Sequence, residues 1–67
     1  SIEVEEAKQQ LADCIEQLPE QQRTVLSLYY GEDLRLKEIG RVLNLSESRI
    51  SRVLAKAEAA IREAFDA

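Results

Sequence analysis

The chain has a single proline, Pro19, set at the end of a helical stripe. Ala7, Leu11, Ile15 and Leu18 recur at steps of four, four and three, the spacing that aligns side chains on one helix face. Proline has no N–H to donate and disfavours helical geometry in the residue before it, so that stripe must stop at Leu18. The same residue is at ease in a first helical turn. It therefore predicts a second helix from Pro19 through Tyr30, with Val25, Leu26, Leu28 and Tyr29 as its apolar face. Gly31 follows as the residue expected to turn the chain in a left-handed conformation, with Glu32 and Asp33 as a short loop.

A third helix is predicted over Leu36 to Leu43, two turns that only tertiary packing can hold. Asn44 is suited to a left-handed reversal, and Ser46 to the N-cap of a long last helix reaching about Phe65. Arg49 occupies the place where Glu or Gln would complete a capping box, so none is expected there. Ile50, Val53, Ala57, Ile61 and Ala64 form the inward stripe of the last helix. Gly40 is the telling residue. Glycine inside a helix costs about 1 kcal/mol against Ala, so its presence asks for a packing reason. A second helix crossing steeply at close range supplies one. Ile39, Leu43, Leu45, Ile50 and Val53 bracket the turn as an inward apolar set. The expected fold is all-α, a small four-helix domain with a C-terminal helix-turn-helix at about 36–65. An ordinary helical hairpin would share the apolar spacing but leaves Gly40, Asn44 and the nearby basic run unexplained together.

That basic run is hidden by the overall charge of −4. Residues 1–34 hold eight acids against Lys8 and Arg23, a net −6. Residues 35–56 hold Arg35, Lys37, Arg41, Arg49, Arg52 and Lys56 against Glu38 and Glu47, a net +4. A local cationic segment is compatible with a nucleic-acid partner even in an acidic chain.

With Ile50 and Val53 turned inward, the stretch "NLSESRISR" at 44–52 presents polar residues outward. The first turns of a recognition helix reach base edges. Glu47, Ser48 and Arg52 are thus candidates for base contact, since Glu accepts from cytosine N4, Ser pairs either way and Arg suits guanine O6/N7. Arg49, Ser51 and Lys56 are placed for phosphates, which position a protein without specifying sequence. The N–H groups of Leu36 and Lys37, heading the third helix, add a further phosphate position. Each has a plainer role available: Glu47 favours the positive helix N-terminus, and Arg52 with Lys56 makes a solvated face.

Other classes fare poorly. Sixty-seven residues make one domain. No apolar run approaches the roughly 20 residues of a membrane span, and a cytoplasmic setting fits. With no His and one Cys, the usual zinc ligand sets are missing, and no cofactor is expected. Catalysis is not expected, and Cys14 reads as a small apolar packing residue. The chain opens on Ser1 and has no Met, which suggests a domain excised from a longer protein.

"LPEQQRTVLSLYYGEDLRLKEIGRVLNLSESRISRVLAKA", residues 18–57, resembles region 4 of bacterial RNA polymerase sigma factors, most like the flagellar or motility class. The resemblance implies recognition of the promoter −35 element through Glu47, Ser48 and Arg52. It implies DNA-backbone contacts at Ser46, Arg49, Ser51 and Lys56. Docking on the β-flap of the polymerase core, through a hydrophobic concavity of the first helices, is a further implication. So is covering by an anti-sigma protein, and a life as one domain of a longer sigma factor. The chain departs from the family pattern in places: Arg52 stands where many relatives carry Gln, Arg35 where a Thr or Asn cap is usual, and Glu20 and Tyr29 where primary sigma factors have Arg for phosphates. The acidic first half predicts weak DNA binding by the domain alone. The alternative reading is a protein-interaction module whose helix-turn-helix is covered by an anti-sigma partner or by self-association.

Overall fold

A computed structural model of the chain describes residues 2–66. Helix α1 (Ile2–Glu16) is followed by α2 (Glu20–Leu26), which runs on into one π-helical turn (Ser27–Gly31). Helices α3 (Leu36–Leu43) and α4 (Glu47–Asp66) complete the chain, and no strand occurs among the described residues. The fold is all-α, as the sequence leads one to expect.

Pro19 sits one position earlier than anticipated, as the N-cap of α2 rather than in its first turn. Its extended backbone (φ −54°, ψ 148°) lets its carbonyl accept the N–H of Arg23 at 3.1 Å. Helix α4 is the hub and packs mainly against α2 and α3. Leu18, Val25, Leu26, Ile39, Ile50, Val53, Leu54 and Ala57 form the buried core, with no buried polar side chain among the described residues. Leu54 lies outside the stripe read from the sequence. It is buried because α4 is covered from two sides, which widens its apolar face beyond a single row.

Three expectations are corrected. Ala7 and Leu11 of the first stripe are exposed, and burial on that stripe begins only at Ile15 and Leu18. Ala64, at the other end of α4's stripe, is exposed too. The cause is the same in both places: α1 packs chiefly on α4 and only sparsely, so the outer turns of both helices are left largely uncovered. The radius of gyration, 12.9 Å, accordingly exceeds the roughly 11 Å of a compact chain of this length.

The third correction concerns Gly31. It lies within the π turn and has no positive φ. The turn closes with the Glu32 N–H donating to the Ser27 carbonyl at 3.0 Å, and the extra residue carries the helix past the expected stop. The reversal falls instead on Asp33 (φ 57°), whose short polar side chain tolerates the left-handed region. The Leu34 N–H then donates back to the Leu28 carbonyl at 3.0 Å, a helix-ending closure widened by one residue.

The turn between α3 and α4 follows the sequence closely. Asn44 is left-handed (φ 58°, ψ 45°), and the Leu45 N–H donates to the Gly40 carbonyl at 2.8 Å. A Cβ on Gly40 would meet the Leu45 carbonyl oxygen at 2.6 Å. This is the close approach that its missing side chain permits.

Candidate nucleic-acid interface

The interface is built on how α3 and α4 begin. Ser46 Oγ accepts the Arg49 N–H at 3.1 Å, the N-cap bond that the sequence predicts. At α3, Arg35 is extended (φ −80°, ψ 158°) and its N–H donates to Glu38 Oε1 at 2.9 Å. A guanidinium has no acceptor, so the reciprocal bond from position 35 cannot form. The absence of a side-chain cap at Arg35 therefore holds, and Glu38 offsets it in part by satisfying the cap's own N–H.

Ile50, Val53, Leu54 and Ala57 fix the rotation of α4 against the core. Glu47, Ser48, Arg49, Ser51, Arg52 and Lys56 are all exposed, as are Ser46 and Lys37. At 3.6 residues per turn, Ser48 and Arg52 stand opposite the buried face. Leu36 is half-buried and packs against the core, so outward it offers its backbone N–H and little else.

Two grooves flank α4. On one side Arg49, Arg52 and Lys56 share a groove with Pro19, Gln21 and Gln22 from the start of α2. On the other, Ser46 and Glu47 share one with Lys37, Arg41 and Asn44. The first turns of α4 thus form a polar ridge between two depressions, each containing cations. The sequence reading did not single out Gln21, Gln22 or Arg41 as part of this surface. Arg41 carried a signal, its i,i+4 relation to Lys37, whereas the two glutamines become relevant only through the packing of α2 on α4.

The bases of this segment form no ion pair among the described residues. The ion pair found among the described residues is Lys8–Glu5, at 3.8 Å on the exposed face of α1. None of the six bases between 35 and 56 lies in one. With Glu38 and Glu47 as its two acids the segment keeps a net +4, a basic patch of the kind that suits a polyanion.

A second surface lies at the π turn. Tyr29, Tyr30, Asp33, Leu34, Arg35 and Leu36 line a concavity. The Tyr29 and Tyr30 rings meet edge to face, with centroids 4.9 Å apart and planes at 88°. Tyr30 is 63% exposed, yet its hydroxyl donates to the carboxylate of Glu58 on α4. That hydrogen bond raises the Tyr30 pKa above its ordinary value, with desolvation and the Glu58 charge adding to it. Cys14 is half-buried. No cluster of His, Cys, Asp and Glu among the described residues could hold a metal ion, and no described helix is long and apolar enough to cross a membrane.

A short α3, a left-handed turn and a longer α4 with polar first turns define a helix-turn-helix domain. Comparison with known families is specific: the model of Sigma-70, region 4 matches residues 14–63, and the chain belongs to that family. It is 56% identical over 52 residues to the RNA polymerase sigma factor FliA of Pseudomonas aeruginosa, covering 78% of this chain and 21% of the relative. It is 52% identical over 50 residues to FliA of Salmonella typhimurium, covering 75% and 21%. With the RNA polymerase sigma-D factor of Bacillus subtilis it shares 56% over 48 residues, covering 72% and 19%. The similarity is thus to the flagellar class of sigma factors, and the chain spans about a fifth of the length of these relatives. No solved structure matches it.

Proposed function

We propose that the chain is the −35-reading domain of a flagellar-class sigma factor, acting in transcription initiation in the cytoplasm. The supporting observation is the exposed first half of α4, flanked by unpaired Lys37, Arg41, Arg49, Arg52 and Lys56. In this reading α4 enters the major groove, with Glu47, Ser48 and Arg52 at base edges. Ser46, Arg49, Ser51, Lys56 and the N–H groups of Leu36 and Lys37 hold phosphates. The family membership supports the same assignment, as does the sigma-factor identity of its relatives.

The concavity around Tyr29, Leu34 and Leu36, with Tyr30 exposed on its wall, suits an apolar element of the polymerase core, the β-flap. Exposed Val4, Leu11 and Phe65 offer further apolar area for an anti-sigma protein. The role of the domain is binding, and the chemistry belongs to the polymerase.

The test is promoter binding by polymerase holoenzyme assembled with the whole sigma factor. Base substitutions across the −35 element should each weaken binding by about 1–3 kcal/mol, and Arg52→Ala should flatten the response at one of those positions. Indifference of the holoenzyme to the −35 sequence would remove the reading.

A further inference from the structure

Arg41 is the one base of the cationic segment that lines an α4-flanking groove without an assigned role. Leu36, Ile39, Gly40 and Leu43 form the inward stripe of α3. Lys37 and Arg41 stand one turn apart on the outward side, and both are exposed. Both line the groove that contains the N-cap Ser46 and the first recognition residue, Glu47. Glu47 lines the same groove and Glu38 precedes Arg41 by three residues on α3, and neither forms an ion pair with Lys37 or Arg41 among the described residues. The groove on the far side of α4 carries Arg49, Arg52 and Lys56. The duplex presents two phosphate strands, one on each wall of the groove an α-helix enters. The two cationic depressions are placed on either side of α4 in the same way.

We propose that Arg41 is a phosphate-binding residue on the α3 wall. It anchors the strand opposite the one held by Arg49 and Lys56, and adds affinity without reading sequence. This rests on the −35 reading. The plain alternative for Arg41 is a cation in the last turn of α3, favourable to the helix dipole. That role would affect stability and leave DNA binding untouched.

The experiment measures promoter affinity of holoenzyme carrying the full sigma factor across a salt series. Wild type, Arg41→Ala, Arg41→Lys and Arg62→Ala are compared on the preferred −35 element and on single-base variants of it. Arg62 is exposed on α4, beyond both grooves, and reports general electrostatics. One phosphate contact contributes about 0.9 to the slope of log affinity against log salt. Arg41→Ala should therefore lose about that much slope, narrowing the wild-type advantage about 3.5-fold between about 50 and about 200 mM salt. The loss should be equal on every −35 variant, Arg41→Lys should restore most of the slope, and Arg62→Ala should match wild type. An unchanged slope in Arg41→Ala overturns the proposal, as does an equal loss in Arg62→Ala. A change in the ranking of −35 variants overturns it too, because Arg41 would then read bases. Failure of wild type to rank the variants at all is a different result, and strikes the −35 reading itself.

Discussion

The α-carbon of Gly40 lies so near the carbonyl of Leu45 that a methyl group placed there would stand 2.6 Å from the oxygen. The obstacle is backbone, held in place by the Leu45 N–H bond to the Gly40 carbonyl. Gly40→Ala gains about 1 kcal/mol of helix propensity but must push α3 away from the turn. The expected net result is destabilisation by about 1–3 kcal/mol. Urea unfolding monitored by circular dichroism measures it, and a stabilised variant would show that the turn gives way freely.

That contact is legible in the amino-acid sequence alone, because glycine inside a helix and asparagine after it are local exceptions with few physical causes. The Ser46 cap is legible for the same reason. Ala7 and Leu11 mislead, since periodicity reports which face could be buried and not whether a partner is there to cover it. Gly31 misleads because the π turn arises from tertiary packing, with Leu28 and Tyr29 half-buried on the core and Tyr30 tied to Glu58. Within the interface, the residues of α4 follow from its rotation alone. The part played by Gln21, Gln22 and Arg41 depends on which helices flank it.

Asn44 gives a prediction that sets two substitutions apart. Its left-handed backbone (φ 58°, ψ 45°) penalises a Cβ without a compensating amide by roughly 1–2 kcal/mol. Asn44→Ala should lower the melting temperature by roughly 4–8 °C per kcal/mol lost. Asn44→Gly should melt clearly above the alanine variant and close to wild type. Equal melting of the alanine and glycine variants would mean that the left-handed geometry is not what selects asparagine.

On the proposed −35 reading, Arg52 sets base preference. Arginine pairs bidentately with guanine, whereas glutamine pairs with adenine. Arg52→Gln in the holoenzyme should move the preferred base at one −35 position from guanine towards adenine, a switch worth about 1–3 kcal/mol. Competitive binding to promoters differing at single positions reads it directly. A uniform loss on all promoters would make Arg52 a phosphate contact.

Tyr30 gives a pH-dependent signal. Its hydrogen bond to Glu58 stabilises the neutral phenol, so its pKa is raised in the folded state. The unfolded phenol ionises near about 10. Stability from this bond is therefore fully present below that pH and is lost as pH rises towards the folded pKa. Absorbance titration at alkaline pH should show Tyr30 ionising late, and Glu58→Gln should bring it back towards the ordinary value. A Tyr30 titration indifferent to Glu58→Gln would leave the bond without energetic consequence.

The residues assigned to reading, Glu47, Ser48 and Arg52, share one further property: they are exposed, and none takes part in the core or in an ion pair among the described residues. Apart from the favourable charge of Glu47 at the α4 N-terminus, their identities are therefore nearly invisible to folding, while Gly40, Asn44, Ile50 and Val53 are fixed by it. Promoter preference and stability become separable traits on one scaffold. On the −35 reading, exchange of a reading residue changes what the domain selects without first having to be rescued elsewhere in the fold. A lineage could drift from one promoter vocabulary to another through single substitutions, each of them a folded protein.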